Sequence, residues 1–360
     1  MQAKTISIFT ILTFLSLPAW GMTPNAGTTT GQFAVSERGA ATYSIPIIVP
    51  PGIAGMQPEL ALSYNSQEGN GLLGMGWSLQ GLSVIHRCKA TIDQDGFKGG
   101  INFDSDDRFC LDGQRLVATT GVYGADGTEY RTEIDTFTKI ISHGIAGNGP
   151  AWFEVRYKSG RIFEYANTAD SQFEAQGKSD VLVWAVNKVS DRSGNDMTFV
   201  YVEDLVNDSH RIDRINYGAG ASVVFETDPA GRSDGRISYI GGSRTTLLEL
   251  LTSIDVTSAG SSIRNYQVNY EEGSATGRSR LTSVSECDGS GSCRPASTFA
   301  WQDGDGTFSP GVVLPNTGGP GGVSNWAKSN YRIHPGDYNG DGISDVLLQA
   351  VSRINGVRLD

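Results

Sequence analysis

The sequence is poor in charged residues and in helix-forming stretches, and each shortage narrows the choice of fold. Asp, Glu, Lys and Arg make up 19% of the 360 residues, whereas glycine occurs 46 times. After the first 21 residues, no stripe of Ala, Leu, Glu and Lys recurs at helical spacing. These absences exclude a helical bundle, and the glycine content favours turn-rich β structure over disorder.

Blocks of lysine and arginine are also missing, and the formal net charge is -11. A chain of this charge repels phosphate backbones and anionic lipid surfaces, so we expect no nucleic-acid partner. Beyond the N-terminus, no stretch approaches the ~18 apolar residues that a membrane-spanning helix needs. We therefore expect no stable membrane span once the N-terminus is cleaved.

Residues 1–21 have the organisation of a secretory signal peptide. Lys4 precedes an apolar run, Ile6–Leu17, and the small residues Ala19 and Gly21 follow in the spacing that signal peptidase accepts. As a helix, this run spans only about 18 Å, which is short of a bilayer core of about 30 Å and disfavours the alternative of a membrane anchor. The pattern predicts a secreted, soluble protein that begins at Met22, with periplasmic transit or retention left open.

Export to an oxidising compartment indicates that the four cysteines form disulfides. Four cysteines allow three pairings, and the turn-rich segments between near neighbours favour Cys88 with Cys110 and Cys287 with Cys293. A zinc site is disfavoured because neither CxxC nor HxxxH spacing occurs.

From Thr42 onward, short runs alternate apolar and polar residues and end at Gly, Asn, Asp or Ser. In the stretch 152–165, Phe153, Val155 and Tyr157 share one face, and the turn at 158–160 predicts a hairpin. Further hairpins are predicted with turns at 192–195 and 218–221. The sequence thus predicts an all-β fold, an antiparallel meander rich in hairpins.

The length permits one large β domain or several smaller ones. Residues 315–325 carry two prolines and four glycines and predict a linker. The expected organisation is a signal peptide at 1–21, a β domain at 22–314, this linker, and a further unit at 326–360. The segment Thr23–Gly39 is expected to be an exposed lead-in because it has few large apolar residues.

Residues 69–74, GNGLLG, match the dinucleotide fingerprint, but Gly76 and Gly81 interrupt the helix that would bind a pyrophosphate. These glycines more simply permit tight β turns and close backbone approach. No GxSxG motif or local cysteine–histidine pattern appears. We predict that the chain is not an enzyme, although a spatial triad stays open as an alternative.

The stretch 336–345, GDYNGDGISD, has the residue types and spacing of a calcium-binding loop. Gly342 stands where such loops turn sharply, but Leu348 replaces the bidentate Glu of an EF-hand, so we expect the loop to lie between strands. The predicted ligands of a weak Ca²⁺ site are Asp337, Asn339, Asp341, the Ile343 carbonyl and Asp345. The alternative is an acidic turn that binds nothing.

Several of these stretches together resemble one family. GNGLLGMGWSLQGLSVIHRC, DDRFCLDGQRLV, SRLTSVSECDGSGSC with STFAW, and GDYNGDGISDVLL are similar, in this order, to the N-terminal region of the Salmonella virulence plasmid B protein family and of insecticidal toxin complex B components. The last stretch resembles the FG-GAP or VCBS repeats of that family's β-propeller. The resemblance covers about residues 29–348.

The resemblance implies a β-rich shell followed by the start of a β-propeller-type repeat at 326–360. Longer members add YD repeats that enclose a toxic C-terminal domain, so it also implies a carrier or assembly role with other toxin-complex components or such a domain as partner. The family's ADP-ribosyltransferase motifs are not found here. Because the chain stops inside the first repeat, we expect it to be a fragment or a truncated reading frame.

The sequence leaves three functional hypotheses. The first is a secreted, non-enzymatic carrier module of a virulence-related or toxin-complex protein. The second is a free-standing extracellular adhesion or binding module, and the third is an unrecognised hydrolase. Gene context separates the first two, and an esterase and glycosidase screen tests the third.

Overall fold

Short alternating stretches closed by glycine or polar turns fold as β-strands along most of the chain. The structure is a computed structural model that describes residues 27, 29–228, 230–303, 331–336, 345–350, 353–354 and 357–358. Within them, helix is limited to α1 (Ile92–Asp95) and the 3-10 turns Ile53–Gly55 and Ala169–Ser171. The all-β prediction is confirmed. The chain divides into two compact units, Met1–Gly304 and Asp305–Asp360.

The first strands build a small antiparallel sheet in the order β1-β2-β3-β6. The strands that open the chain are β1 (Gln32–Val35), β2 (Ala41–Ile47), β3 (Leu60–Asn65), β4 (Asn70–Gly71), β5 (Gly74–Met75), β6 (Trp77–Gln80) and β7 (Val84–Cys88). Strands β4 and β5 pair only with each other among the described strands. The expected exposed lead-in, Thr23–Gly39, is corrected in part within its described residues: Gln32–Val35 is exposed but pairs with β2 as a strand, and Thr29 is buried.

Eight strands close into an antiparallel barrel. The next strands are β8 (Arg108–Leu111), β9 (Gln114–Thr120), β10 (Glu129–Thr132), β11 (Lys139–His143), β12 (Trp152–Arg156), β13 (Ile162–Tyr165), β14 (Gln172–Glu174) and β15 (Val181–Ser190). The order β7 to β13 follows the chain, and β15 closes the ring because it pairs with both β7 and β13. Closure leaves these strands without an open edge.

Aromatic side chains fill the barrel. Phe109, Tyr130, Phe153 and Trp184 are at most 2% exposed, and the ring centroids of Phe109 and Trp184 lie 5.2 Å apart. The Trp184 Nε1–H donates to the Pro150 carbonyl at 3.0 Å, so the indole is buried without an unpaired donor. A closed ring of this size leaves an interior that side chains can fill, and the barrel is therefore a packed core.

The remaining strands of the first unit extend the same sheet away from the barrel. They are β16 (Asp196–Asp204), β17 (Ser209–Tyr217), β18 (Ala221–Thr227), β19 (Arg236–Ile240), β20 (Ser243–Leu247), β21 (Leu251–Ser258), β22 (Ser261–Glu272), β23 (Ser279–Asp288) and β24 (Ser297–Thr298). The three hairpins predicted from sequence are confirmed as β12–β13, β15–β16 and β17–β18. Strands β19 and β20 form a separate hairpin.

The small N-terminal sheet packs on the extended sheet, and both share one hydrophobic core with the barrel. Ile45 and Leu62 of the small sheet and Ile254 of the extended sheet are fully buried in it. Tyr266 accepts a 2.9 Å hydrogen bond at its hydroxyl from the Ile48 backbone N–H, which fixes the two sheets in register. These contacts hold the two ends of the first unit together.

The second unit is described only at four strands, β25 (Tyr331–Gly336), β26 (Asp345–Ala350), β27 (Arg353–Ile354) and β28 (Val357–Arg358). They form two antiparallel hairpins, β25–β26 and β27–β28. The propeller repeat predicted for 326–360 stays a prediction. The predicted linker, 315–325, lies outside the described residues.

Candidate functional site

The predicted calcium ligands fall almost entirely outside the described residues. Asp337, Asn339, Asp341 and Ile343 are not described, and Asp345 begins β26 without a described side chain. Strands β25 and β26 flank this loop, as the sequence predicts. Among the described side chains, no three His, Cys, Asp or Glu residues are grouped so that they could hold a metal ion. The calcium site stays a prediction.

The structure joins Cys88 to Cys110 and Cys287 to Cys293, the pairs that the sequence favours. The first disulfide links neighbouring barrel strands β7 and β8, and the second closes the turn that follows β23. Thiol–disulfide exchange within the chain would need a free cysteine, and all four cysteines are paired. Both act as local cross-links.

The glycine-rich stretch 69–74 folds as the β4–β5 hairpin and contacts backbone, as its glycines predict. Gly74 has a φ of +80°, and a Cβ atom there would lie 2.5 Å from the Ser279 carbonyl oxygen. Only glycine permits this close approach of two backbones. The motif therefore joins the N-terminal region to the start of β23.

An ion pair and several hydrogen bonds stabilise the contact between the β4–β5 hairpin and the start of β23. Asp234 accepts hydrogen bonds from Arg232 Nε at 2.7 Å, from Asn70 Nδ2 at 2.8 Å and from the Ser279 backbone N–H at 2.8 Å. Arg232, whose side chain is fully buried, also donates to the Gly71 carbonyl at 2.7 Å. Burial opposes the charge on Asp234, but these donors together hold its pKa well below its usual range. We call these residues, 70–71, 232, 234 and 279, the polar junction.

A row of four aromatic residues crosses the small sheet at one register level. Phe33 pairs with Tyr43, Tyr43 with Tyr64, and Tyr64 with Trp77. Because directly paired residues of antiparallel strands share a face, these rings form a cross-strand ladder. Exposure falls along it from 68% at Phe33 to 2% at Trp77. The sequence does show the alternation of each strand, but not which rings share a level.

The stretch STFAW, 297–301, covers this ladder from the C-terminal end of the first unit. The Phe299 ring lies 4.8 Å from the Trp77 ring, and the Trp301 ring lies 5.9 Å from the Tyr64 ring. Trp301 Nε1 donates to the Leu281 carbonyl at 2.8 Å, which fixes the segment on β23. Between Phe33 and Trp301 these rings border a cavity of about 540 Å³. Three of the stretches that carry the family resemblance, 69–88, 279–293 and 297–301, therefore meet in space.

A buried arginine closes the mouth of the barrel. Arg87 Nη1 donates to Asp107 at 2.8 Å, and both side chains are fully buried. Arg87 Nε donates to the Val181 carbonyl at 2.7 Å, and its guanidinium lies 5.3 Å from the Phe103 ring and 5.9 Å from the Phe109 ring. An ion pair without water access holds neighbouring strands in place and is not available to a ligand. Arg87 was not singled out from sequence.

Two carboxylates approach each other beside β16. Burial, the charge of Glu174 and a hydrogen bond with it raise the pKa of Glu203 to about 7. The pair lines a cavity of about 590 Å³ together with His210, whose ring stacks on Phe173 at 3.7 Å. Glu203 therefore takes up a proton near neutral pH. Sequence reasoning missed it because the two residues are 29 positions apart.

Most of the polar and aromatic groups described above contact other parts of the first unit. The charged groups of the polar junction and of the Arg87–Asp107 pair, and the rings of the aromatic ladder, contact other residues of the same unit. The described residues contain no helix that is both long and apolar enough to cross a membrane. These contacts hold distant parts of the first unit in register.

Comparisons with known proteins show which family this chain resembles. The family model described as "Salmonella virulence plasmid 65kDa B protein" matches residues 35–218, about half of the chain. The mono(ADP-ribosyl)transferase SpvB of Salmonella typhimurium is 33% identical over 96 residues, which cover 27% of this chain and 15% of that protein. The chain thus matches only a small part of this curated relative.

Two solved structures share the fold. The N-terminal domain of effector protein SpvB from Salmonella typhimurium superposes with a TM-score of 0.54 at 18% identity, and the match covers 68% of this chain and 99% of that domain. The Photorhabdus luminescens Tc holotoxin pore matches with a TM-score of 0.63 at 16% identity, over 91% of this chain and 17% of that one. The chain belongs to the SpvB family of virulence plasmid B proteins and shares its fold with Tc toxin components.

Proposed function

We propose that the chain is a secreted, non-enzymatic scaffold module of a virulence-related or toxin-complex protein, where it supports the assembly or enclosure of a toxic component. Its partners are other toxin-complex components or a toxic C-terminal domain. Calcium at residues 337–345 would order the unit that follows. The family membership supports the virulence-related class, and the scaffold role and calcium are our inference.

One observation carries this proposal. Four of the stretches that bear the family resemblance, 69–88, 106–117, 279–293 and 297–301, lie at the start, in the barrel and at the end of the first unit. The Asp234–Ser279 contact at 2.8 Å and the 4.8 Å contact between the rings of Trp77 and Phe299 are internal. Residues that define a family and serve internal packing support a structural role more than catalysis.

Affinity isolation from the native source tests the proposal. A C-terminally tagged chain is cross-linked in the medium and periplasm, purified, and identified with its partners by mass spectrometry. We expect a stoichiometric complex with at least one larger secreted protein and no hydrolysis in an esterase and glycosidase screen. A monomer that turns over an ester or glycoside would overturn the proposal.

A free-standing adhesion module is the second candidate, and the aromatic cavity favours it. Phe33 at its rim is exposed, and Trp77 at its base has an indole N–H without a partner among the described residues. Aromatic-lined cavities bind apolar or stacking ligands. A glycan and peptide array probed with the wild-type chain and with Phe33→Ala tests it: binding that Phe33→Ala abolishes supports adhesion, and an empty array contradicts it.

A further inference from the structure

Strand β1 (Gln32–Val35) forms one edge of the small N-terminal sheet. It pairs with β2 on one side, and no strand in the described part of the chain pairs with its other side. All of its residues are exposed. The strand is therefore fixed along β2 and open along its outer edge.

The backbone of Ala34 points toward β2. Its carbonyl accepts a hydrogen bond from the hydroxyl of Thr42, its directly paired residue, at 3.1 Å. The neighbouring pair is Val35 with Ala41, and the Ala41 carbonyl accepts from the Ser66 N–H at 3.0 Å, on the side away from β1. Ala34 is thus in a hydrogen-bonded pair with β2, and Val35 is not.

Alternation along the ladder then determines the outer edge. Hydrogen-bonded and non-hydrogen-bonded pairs alternate in antiparallel strands, and the β1–β2 register has no bulge. Phe33 is therefore in the same class as Val35. The N–H and C=O groups of Phe33 and Val35 point to the open edge, where they can pair with one more strand.

The side chains of the same two residues are apolar and exposed. Phe33 is 68% and Val35 is 64% exposed, and they share one face of the sheet because they are two positions apart. This is the face of the aromatic ladder, where Phe33 pairs with Tyr43 and lines the cavity of about 540 Å³. A residue placed opposite Phe33 on an added strand would extend the ladder on this face.

Protection of this edge is slight. Strand β1, QFAV, contains no proline and no charged residue, and its pairing with β2 shows no bulge. Natural proteins use such devices to block open edges against pairing with other chains. An unblocked edge that also exposes apolar side chains is suited to the addition of a strand.

Charge favours a second copy of this chain as the partner. Residues 22–36 contain no Asp, Glu, Lys or Arg, and the first charges after β1 are Glu37 and Arg38. An acidic or basic strand would find no opposite charge on β1, whereas β1 of a second copy is itself uncharged. In an antiparallel pair, Glu37 and Arg38 of each copy would lie beside the uncharged residues 29–31 of the other, so like charges do not meet.

The strand is also complementary to itself. When two copies of β1 run antiparallel about a two-fold axis at Ala34, Phe33 of one copy stands opposite Val35 of the other. Both residues have outward N–H and C=O groups, so each such pair can exchange both of its hydrogen bonds. Directly opposite residues share a face, which places Val35 of the second copy beside Phe33 at the rim of the cavity.

We propose that β1 is a homodimerisation edge, at which β1 of a second copy pairs antiparallel with Phe33 opposite Val35. Backbone pairing joins the two small sheets into one, and each copy's exposed apolar side chains cover those of the other. This inference goes beyond the proposed scaffold function and does not depend on it, because β1 lies outside the polar junction and the barrel.

Sedimentation equilibrium of the exported chain tests the association. A pair of short strands belongs to the small, weak class of interfaces, so we expect a monomer–dimer equilibrium with a Kd between about 1 µM and about 1 mM. Raising the salt from about 50 to about 300 mM should tighten the dimer. The reason is that the contact is uncharged, whereas each chain as a whole is negatively charged.

Edge variants locate the contact. Val35→Pro removes an outward N–H without removing a hydrogen bond to β2, and should raise the Kd at least about tenfold. Gln32→Ala, on the opposite face of the same strand, is the matched control and should stay within about twofold. If Val35→Pro lowers the melting temperature, Phe33→Lys with Val35→Lys replaces it, since like charges directly opposite each other are destabilising.

Cysteine cross-linking tests the register. All four native cysteines are paired, so a single introduced cysteine is the only free thiol. A Phe33→Cys chain mixed with a Val35→Cys chain should form a disulfide-linked dimer under mild oxidation, because the Cα atoms of a hydrogen-bonded pair lie about 5.5 Å apart. Either variant alone should cross-link more slowly, since its cysteines would stand diagonally, about 7–8 Å apart.

Four outcomes overturn the proposal. The first two are a chain that stays monomeric at about 1 mM, as it would if β1 served only another protein, and a dimer that weakens as salt is raised. The others are a dimer that neither edge variant weakens, and cross-linking of one cysteine variant alone as fast as the mixture. Loss of the complex expected under the scaffold proposal would leave all of these readouts unaffected.

Discussion

Arg87 Nη1 and Asp107 Oδ2 lie 2.8 Å apart at the mouth of the barrel, and neither side chain has any solvent exposure. Removing Asp107 leaves the buried Arg87 charge with only a more distant carboxylate, that of Asp180 at 3.9 Å from Nη2. Asp107→Ala should therefore lower the free energy of unfolding by about 3–5 kcal/mol in urea denaturation. Glu129→Ala at the exposed Lys139 pair is the control, with an expected loss below about 1 kcal/mol. Equal losses would show that burial does not decide this pair's contribution.

Each residue of the aromatic ladder should stabilise the fold in proportion to how deeply its side chain is buried. Trp77→Ala removes a ring that is 2% exposed and should cost about 3–5 kcal/mol, because a large cavity remains. Phe33→Ala at the other end, 68% exposed, should cost less than about 0.5 kcal/mol. Thermal unfolding of the two variants is the measurement. A larger loss for Phe33→Ala would contradict the packing of the STFAW segment on the ladder.

The two disulfides should differ in stabilisation by loop length. Cys88→Ser with Cys110→Ser should lower the free energy of unfolding by about 3 kcal/mol, and Cys287→Ser with Cys293→Ser by about 2 kcal/mol. The reason is that the first closes a loop across 22 positions and the second across 6. Guanidinium denaturation gives both values, and non-reducing peptide mapping checks the pairs. A peptide that joins Cys110 to Cys287 would contradict this arrangement.

Glu203 should make stability depend on pH. Burial and Glu174 raise its pKa to about 7 in the folded protein, from about 4.3 in the unfolded chain. Its stabilising contribution is present below the unfolded value and is lost as pH rises through about 7. Relative to Glu203→Gln, the wild type should lose about 1 kcal/mol between about pH 5 and about pH 8, after discounting for partial exposure.

The neighbouring Val202→Thr variant controls for this pH dependence because it adds no titratable group. Its difference from the wild type should be constant across the same pH range in urea titrations. A constant difference for Glu203→Gln as well would mean that the two carboxylates do not interact in solution.

Calcium should order the loop 337–345 in a chain that extends beyond Asp360. Asp337, Asp341 and Asp345 repel one another when they converge, and a divalent cation relieves this repulsion. We expect calcium binding with a Kd on the order of 0.1–1 mM and weaker magnesium binding. Asp341→Asn should weaken it in calorimetry without altering the melting of the first unit. A chain with complete repeats that takes up no calcium at several times this concentration would reduce the loop to an acidic turn.

Local sequence patterns predict many of the hairpins and both disulfides of this protein. The alternation in 152–165 and the turns at 158–160, 192–195 and 218–221 predict hairpins that the structure contains. Strand alternation and turn chemistry are properties of neighbouring residues, so they can be read from the chain. The cysteine pairs are predictable for the same reason, since each closes a short loop.

Contacts between distant strands were decided only in three dimensions. Closure of the barrel requires β15 to pair with both β7 and β13, and its side-chain pattern is the same whichever partners it has. The Asp234 junction unites residues 164 positions apart, and the Glu174–Glu203 pair depends on which strands meet. The sequence by itself determined the strands, the turns and the near cysteine pairs, because these depend on local conformation. Only the tertiary structure decided the barrel, the buried ion pairs and the contact between the aromatic ladder and residues 297–301, because register and closure are set by long-range packing.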